Sequence, residues 1–462
     1  MNAIGKRIAA LVTIFLLGGC AAQRYAPAPI DAAATASQFE SRNLDDPNLR
    51  FYEESNLGRP VSEWPPKTWD LQTLSLAALY FNPALDLARA RLATADAAIL
   101  MAKARPNPTL DFVPGVPAPY LLTQDFLFLV ETAGKRGHRV QIARNLDQAA
   151  QFDLADTAWT VAMGVRAALL NYLVTSRNLE LLRSEEKIRE DQDAILKQVL
   201  SAGEITRFNV DLARIETSKT QLAVRAAEGQ AAGAKTALAA AIGIPVAGLD
   251  GAEFYWPGMN APPVPESLAA EQIEREAVLN RLDLRRSLAQ YAAAEEGLHL
   301  EIARQYPNLN IGPGYTYEEG HSLFTVGLST SLPVFNRNQG PIAEAEGRRK
   351  EAAAAFLQTQ AQVIARSERA LALYTAALKE LGEAESLVQL QEAQQRVVEQ
   401  SIRAGADNRL SLDGALIQSA TLARARLDAL DRAQMALGDL EDAVHRPLGH
   451  DDVFQARPES PA

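Results

Sequence analysis

Cysteine occurs once in the 462 residues, at Cys20, so no disulfide can form within the chain. Beyond that position no run of eighteen or more apolar residues exists, which rules out a transmembrane helix and leaves only strands to cross a bilayer. Basic residues are outnumbered 46 to 57 and form no patch, which argues against nucleic acid as a partner. The five histidines (His138, His299, His321, His445, His450) are scattered along the chain, as are Met101, Met163, Met259 and Met435; no pair has the spacing of a metal site, so metal ligands are expected to be none. A phosphate-cradling glycine loop and a Gly-x-Ser-x-Gly elbow are both missing. Catalytic residues and cofactors are therefore expected to be none, and the chain is not expected to be an enzyme.

Proline is missing from two long stretches, between Pro119 and Pro245 and between Pro341 and Pro447, where alanine, leucine, glutamate, glutamine and arginine dominate. All are strong helix formers. From Arg139 to Ala202 the pattern sustains a single helix, roughly 95 Å long at 1.5 Å per residue. Val161, Val165, Leu169, Tyr172, Leu173, Leu179 and Leu182 recur at three and four, forming a stripe for packing. A solvated coiled coil would read the same way.

The chain states its plan twice. Asn82-Pro83-Ala84-Leu85 matches Arg281-Leu282-Asp283-Leu284 at an offset of 199, as Ala104-Arg105 with Pro108, Leu110 and Gly115 matches Ala303-Arg304 with Pro307, Leu309 and Gly314. Ala202-Gly203 with Arg207 and Asp211 matches Ala404-Gly405 with Arg409 and Asp413 at an offset of 202. So long a period is not that of a solenoid; it predicts two copies of one unit packed with pseudo-symmetry. The first spans 71–248 (tip about 202–206), the second 267–449 (tip about 404–408), with a proline-rich linker at 249–266 and a tail at 450–462. Gly203 and Gly405 are expected to end the long helices in the left-handed conformation. Each unit would then hold a helical hairpin, with Asp211 and Asp413 just inside the returning helix.

Residues 1–20 read as a secretory signal, with Lys6 and Arg7 ahead of an apolar core and Leu17-Gly18-Gly19-Cys20 as the processing site. The place of Cys20 resembles a lipoprotein box, so Cys20 is the expected lipidation site and outer-membrane lipid the expected anchor. Without Lys6 and Arg7 the chain carries 44 basic against 57 acidic residues, a net of −13. Residues 21–70, with six prolines among polar residues, read as an extended N-terminal arm.

Between the first and the long helix of each unit lie segments of period two. In Ser322 to Pro333, Phe324, Val326, Leu328, Thr330 and Leu332 alternate with Thr325, Gly327, Ser329 and Ser331. Leu309 to Glu318 would pair with it through a Glu319-Gly320-His321 turn, and Tyr315 and Tyr317 fit an interfacial girdle. Strands are thus expected at about 308–332 and, with both faces apolar, at about 109–131. They read either as membrane strands or as hairpins buried in a periplasmic domain. In lipid a sheet must close on itself, and four strands are too few, so the membrane reading requires oligomerisation. Three chains would supply twelve strands.

These motifs, with Gly134-Lys135-Arg136-Gly137 and Pro333-Val334-Phe335-Asn336-Arg337-Asn338-Gln339-Gly340, resemble the TolC-like family of bacterial outer-membrane efflux proteins, most closely its heavy-metal branch (CzcC-like and CusC-like). The resemblance covers nearly the whole chain after residue 20. It implies a mainly α fold with a membrane β-barrel: duplicated units forming a homotrimer with one twelve-stranded barrel and a periplasmic α-helical tunnel. It also implies a periplasmic adaptor (membrane fusion) protein and an inner-membrane RND pump as partners, met at tips around Gly203, Glu204, Arg207, Gly405, Asp407 and Arg409. The family's acidic ring is not reproduced, since Ser411 and Gly414, like Asn209 and Leu212, stand where it would fall. Asp211 and Asp413 are the candidates for an aperture, or else plain helix-start residues favoured by the dipole. The competing reading is a lipid-tethered periplasmic coiled-coil scaffold or adaptor.

Overall fold

The computed structural model describes residues 25–116, 121–264 and 270–448; Cys20, the signal segment and the tail lie outside them. Residues up to Arg42 form one unit and those from Asn43 the other. In the former, α1 (Ala32–Glu40) starts at Asp31, whose carboxylate accepts from the amides of Ala33 and Ala34 at 2.9 and 3.2 Å.

In the larger unit the order is α2 (Pro47–Leu57), β1 (Thr68–Trp69), α3 (Leu71–Phe81), α4 (Pro83–Lys103), β2 (Thr109–Gly115), β3 (Leu121–Val130), α5 (Lys135–Ser201) and α6 (Arg207–Ile242). Then come β4 (Glu253–Phe254), α7 (Ala270–Asn280), α8 (Leu282–Ala303), β5 (Leu309–Glu318), β6 (His321–Thr330), α9 (Gln339–Arg403) and α10 (Arg409–Val444). The expectation of an extended arm at 21–70 is corrected, because α1 and α2 lie within it. Pro47 is no breaker there: it occupies the first helical turn, where its missing N–H costs nothing, behind the Asp46 cap.

The two units mirror each other: α5 has 67 residues and α9 has 65, and each is followed by a return helix of 36. At 1.5 Å per residue α5 is about 100 Å long. The shorter helices pack along it, α3 and α4 from its own unit and α8 and α10 from the other. The duplicated opening motif has a structural reason. Asn82 donates from Nδ2 to the Ala241 carbonyl at 3.0 Å, and Arg281 donates to the carbonyls of Asp442 and Ala443 at 3.0 and 3.2 Å. Each therefore satisfies carbonyls at the end of its own unit's return helix, which no helical N–H can reach.

The main core lies where α3, the middle of α5, α6 and α10 converge, around Leu74, Leu169, Leu170, Leu238, Ile242 and Leu430. Parallel pairing of β1 with β4 places part of the proline-rich linker against this core, with Trp69 and Trp256 buried. Arg166 is buried here too. It donates to the Gln434 carbonyl at 2.9 Å, pairs with Glu441 at 3.1 Å and lies over the Trp256 ring at 5.0 Å. Gly438 permits this, since a Cβ there would run into the guanidinium.

The remaining strands form one antiparallel sheet of order β2-β3-β5-β6, so the inner pair β3 and β5 comes from different units. β5 has the expected bounds, while β6 stops at Thr330, two residues short of the expected 332. Among the described residues no helix is long and apolar enough to cross a membrane.

Candidate functional site: an open sheet, a junction and two helical tips

Register sorts the side chains of the sheet into two faces. Tyr315 opposes Phe324, Pro313 opposes Val326 and Ile311 opposes Leu328; Ile311 in turn opposes Phe128, and Phe126 opposes Leu110. Opposed residues share a face, so this one is an apolar surface interrupted by Gln124 opposite Tyr315, and Phe324, Val326 and Leu328 on it are exposed. The other face carries Thr325, Ser329, Thr316, Asn310, Thr123, Asp125 and Asp111, with Val113, Leu121, Leu127, Leu129 and Leu323 among them. Among the described residues the outer strands β2 and β6 have one neighbour each. A ten-residue strand is about 34 Å long, and a tilt of about 40° brings its reach to about 26 Å, the height of an apolar barrel band. Tyr315 and Tyr317 mark the turn end; Tyr306, Leu332, Val334 and Phe335, all exposed, mark the helix end.

At the helix end the two glycine-and-asparagine motifs hold one segment. The buried Lys135 ammonium donates to the Tyr306 carbonyl and to Asn308 Oδ1, each at 2.5 Å, and Asn338 donates to the Glu301 carbonyl at 2.7 Å. Burial pushes Lys135 below its usual pKa, Arg304 adding to the effect and Glu131 opposing it. Glu131 is held low by hydrogen bonds from Arg139. Gly134 and Asn338, both with positive φ, start the long helices on either side of this loop.

The tips share one construction. Gly203 (φ +79°) donates to the Leu200 carbonyl at 3.0 Å and Glu204 to Val199 at 3.2 Å; Gly405 (φ +75°) donates to Ile402 at 3.0 Å and Ala406 to Ser401 at 2.9 Å. This is the Schellman pattern at both tips. The return helices start differently: Thr206 donates to Asn209 Oδ1, while Asn408 accepts from the Ser411 amide at 3.2 Å. Asp407, half-buried, is held below the usual carboxylate range by hydrogen bonds from the Ser411 hydroxyl and the Asn408 amide. Arg424 of α10 meets the buried Glu185 of α5 at 2.8 Å. That tie lies 18 residues from Gly203 and 19 from Gly405, and the Arg166–Glu441 pair lies 37 and 36 residues from them, so α5 and α10 run antiparallel and both tips lie at the same end.

The two aspartates expected to be counterparts are not equivalent. Asp211 is 58% exposed and 3.8 Å from Arg207, whereas Asp413 is fully buried and bonds Arg409 at 3.0 Å. Burial takes Asp413 out of the solvated surface that an aperture residue needs within its own protomer. Sequence reading also overlooked an apolar stripe on α6, where Phe208, Leu212, Ile215 and Leu222 are exposed, and another on α9 at Leu387, Leu390 and Val397. The signal was present as spacings of three, four and seven beside the tips. The histidines, scattered in the sequence, do not all stay apart in the fold. Packing of α5 on α8 brings His138 and His299 together around Glu296, a proximity that linear spacing cannot report.

Residues 274–444 match the family model for outer membrane efflux protein. Over 277 residues the chain is 25% identical to the cobalt-zinc-cadmium resistance protein CzcC of Cupriavidus metallidurans, a match covering 59% of this chain and 64% of CzcC. The fold is similar to that of CusC (TM-score 0.63, 17% identity, 81% of this chain and 91% of CusC). It is also similar to the open state of the Neisseria gonorrhoeae MtrE outer membrane channel (TM-score 0.66, 16% identity, 82% of this chain and 90% of MtrE).

Proposed function

We propose that this chain, TolC-like in fold and matching the outer membrane efflux pattern in its second unit, is the outer-membrane channel of a tripartite RND-type efflux system. It acts as a passive homotrimeric duct and not as an enzyme. The observation that carries the reading is the sheet: four strands with one apolar face and both edges open. An even strand number lets β6 of one copy meet β2 of the next in antiparallel sense, so three copies close one twelve-stranded barrel with no edge left in lipid. The apolar face then meets the hydrocarbon, and the face with Asp111, Asp125, Thr325 and Asn310 lines the pore. The same head-to-tail contact below the membrane brings the α6 stripe of one copy towards the α9 stripe of the next and shields both from water.

The tips supply the partner surface. Arg207 and Arg409 stand at the first position of a helix, where the dipole disfavours a cation. Arg207 is nonetheless 87% exposed, which suits an acidic or carbonyl-rich surface on a periplasmic adaptor. Gly203, Glu204, Gly405 and Asp407 complete that contact, and Asp211 borders the aperture. Units 71–248 and 267–449 are the repeated modules, and lipidation of Cys20 tethers the chain to the outer membrane. Likeness to CzcC and CusC favours metal ions over organic solutes as cargo. Reconstitution into planar bilayers tests the proposal through discrete conductance steps; recovery of the chain in detergent-free extracts, without conductance, would return it to the scaffold or adaptor reading.

A further inference from the structure

We propose that His138, Glu296 and His299 form a binding site for a divalent transition-metal ion of the zinc or cobalt kind, joining the two units at the helix end of the sheet. The inference does not depend on what passes through the duct. His138 lies on the first turn of α5, eight residues after β3 ends, and Glu296 and His299 lie in the last turns of α8, before β5. Glu296 and His299 are three apart on one helix, so their side chains project from one face, and the Glu-x-x-His arrangement is one that helical bundles use for metals.

The Glu296 carboxylate sits between the two imidazoles. Its Oε2 is 2.8 Å from His138 Nδ1 and its Oε1 is 3.6 Å from His299 Nδ1, and one ligand atom from each residue lies within 4.8 Å of the others. Four-coordinate zinc, with bonds of about 2.0–2.1 Å, sets its ligands about 3.3 Å apart, so small side-chain rotations bring this triad to bonding distance. Two imidazole nitrogens and one carboxylate make a borderline set that suits zinc, cobalt, nickel or copper better than magnesium or calcium. The side chains are 31, 24 and 49% exposed, which leaves a path for the ion and room for a completing water. A bound ion would pin α5 to α8 beside the loop that Lys135 and Asn338 already hold.

The test uses the full-length protein in detergent, purified without a histidine tag and stripped with chelator, then titrated with Co2+ by visible absorption and with Zn2+ by calorimetry. One ion per chain is expected, with intense cobalt bands of low coordination number and a metal-dependent rise in melting temperature. His138→Ala and His299→Ala should each weaken binding by on the order of 100-fold, a ligand loss at least as costly as loss of an outer-shell partner. Both should melt like the parent in chelator, and His321→Ala should bind like the parent. Unchanged binding in the His138→Ala/His299→Ala double variant, or fewer than one ion per three chains in the parent, would overturn the proposal.

Discussion

Asp413 holds the Arg409 guanidinium at 3.0 Å while itself fully buried, with its second oxygen, Oδ2, lacking a hydrogen-bond partner among the described residues. The pair ties the first turn of α10 at the tip. Asp413→Ala is therefore expected to free Arg409 and raise the single-channel open probability, while the reversal potential in a salt gradient stays at the parent value. Asp211→Ala, which removes an exposed charge, should lower cation selectivity. A shifted reversal potential in the Asp413 variant would put that carboxylate in the ion path.

The apolar stripes give a second expectation. Phe208, Leu222 and Leu390 are exposed in the protomer, so Phe208→Asp, Leu222→Asp and Leu390→Asp should change the protomer's own stability by no more than about 0.5 kcal/mol. They should instead reduce the trimer fraction on native gels, because each puts a charge into a contact between copies. A normal trimer yield from all three would remove the stripes from that contact.

The buried Arg166–Glu441 pair joins α5 of the first unit to α10 of the second. Taking away one member leaves the other charge buried, so Arg166→Met should cost about 3–5 kcal/mol in unfolding experiments. Arg166→Met combined with Glu441→Leu should recover part of that loss. Recovery is incomplete because Glu441 also accepts from the Leu448 amide at 2.9 Å. Gly438→Ala, which displaces the guanidinium, should resemble the single variant.

Two buried groups change stability in opposite directions as pH rises. Burial, reinforced by Asp70, pushes Glu53 up to about 8, so the folded chain keeps a proton that the unfolded chain gives up above about 4.5. Stability from this group falls as pH rises from about 4.5 to 8. Burial, reinforced by Arg281, pushes His445 down to about 4, so its contribution is lost as pH falls from 6.5 to about 4. Glu53→Gln should melt higher than the parent at pH 8 and converge with it near pH 5. Parallel melting curves across that range would contradict the account.

Much of this architecture was legible because it was written twice. Asn82 and Arg281 do the same work at equivalent helix ends, and Gly203 and Gly405 each close a long helix, so duplication exposed both pairs. Strands showed through alternation, most clearly at Phe324, Val326 and Leu328. Pro47 misled because the same residue that breaks a helix interior also begins one. What the sequence could not display was proximity across units. Asp413 differs from Asp211 through what α10 packs against, and His138 meets Glu296 and His299 only when α5 lies on α8.

Closure of the sheet by copies of the same chain is the central claim, and native mass spectrometry of the detergent-extracted protein tests it most directly. Three chains in one heat-sensitive particle is the predicted result. A single chain, stable and soluble once the detergent is withdrawn, would contradict it.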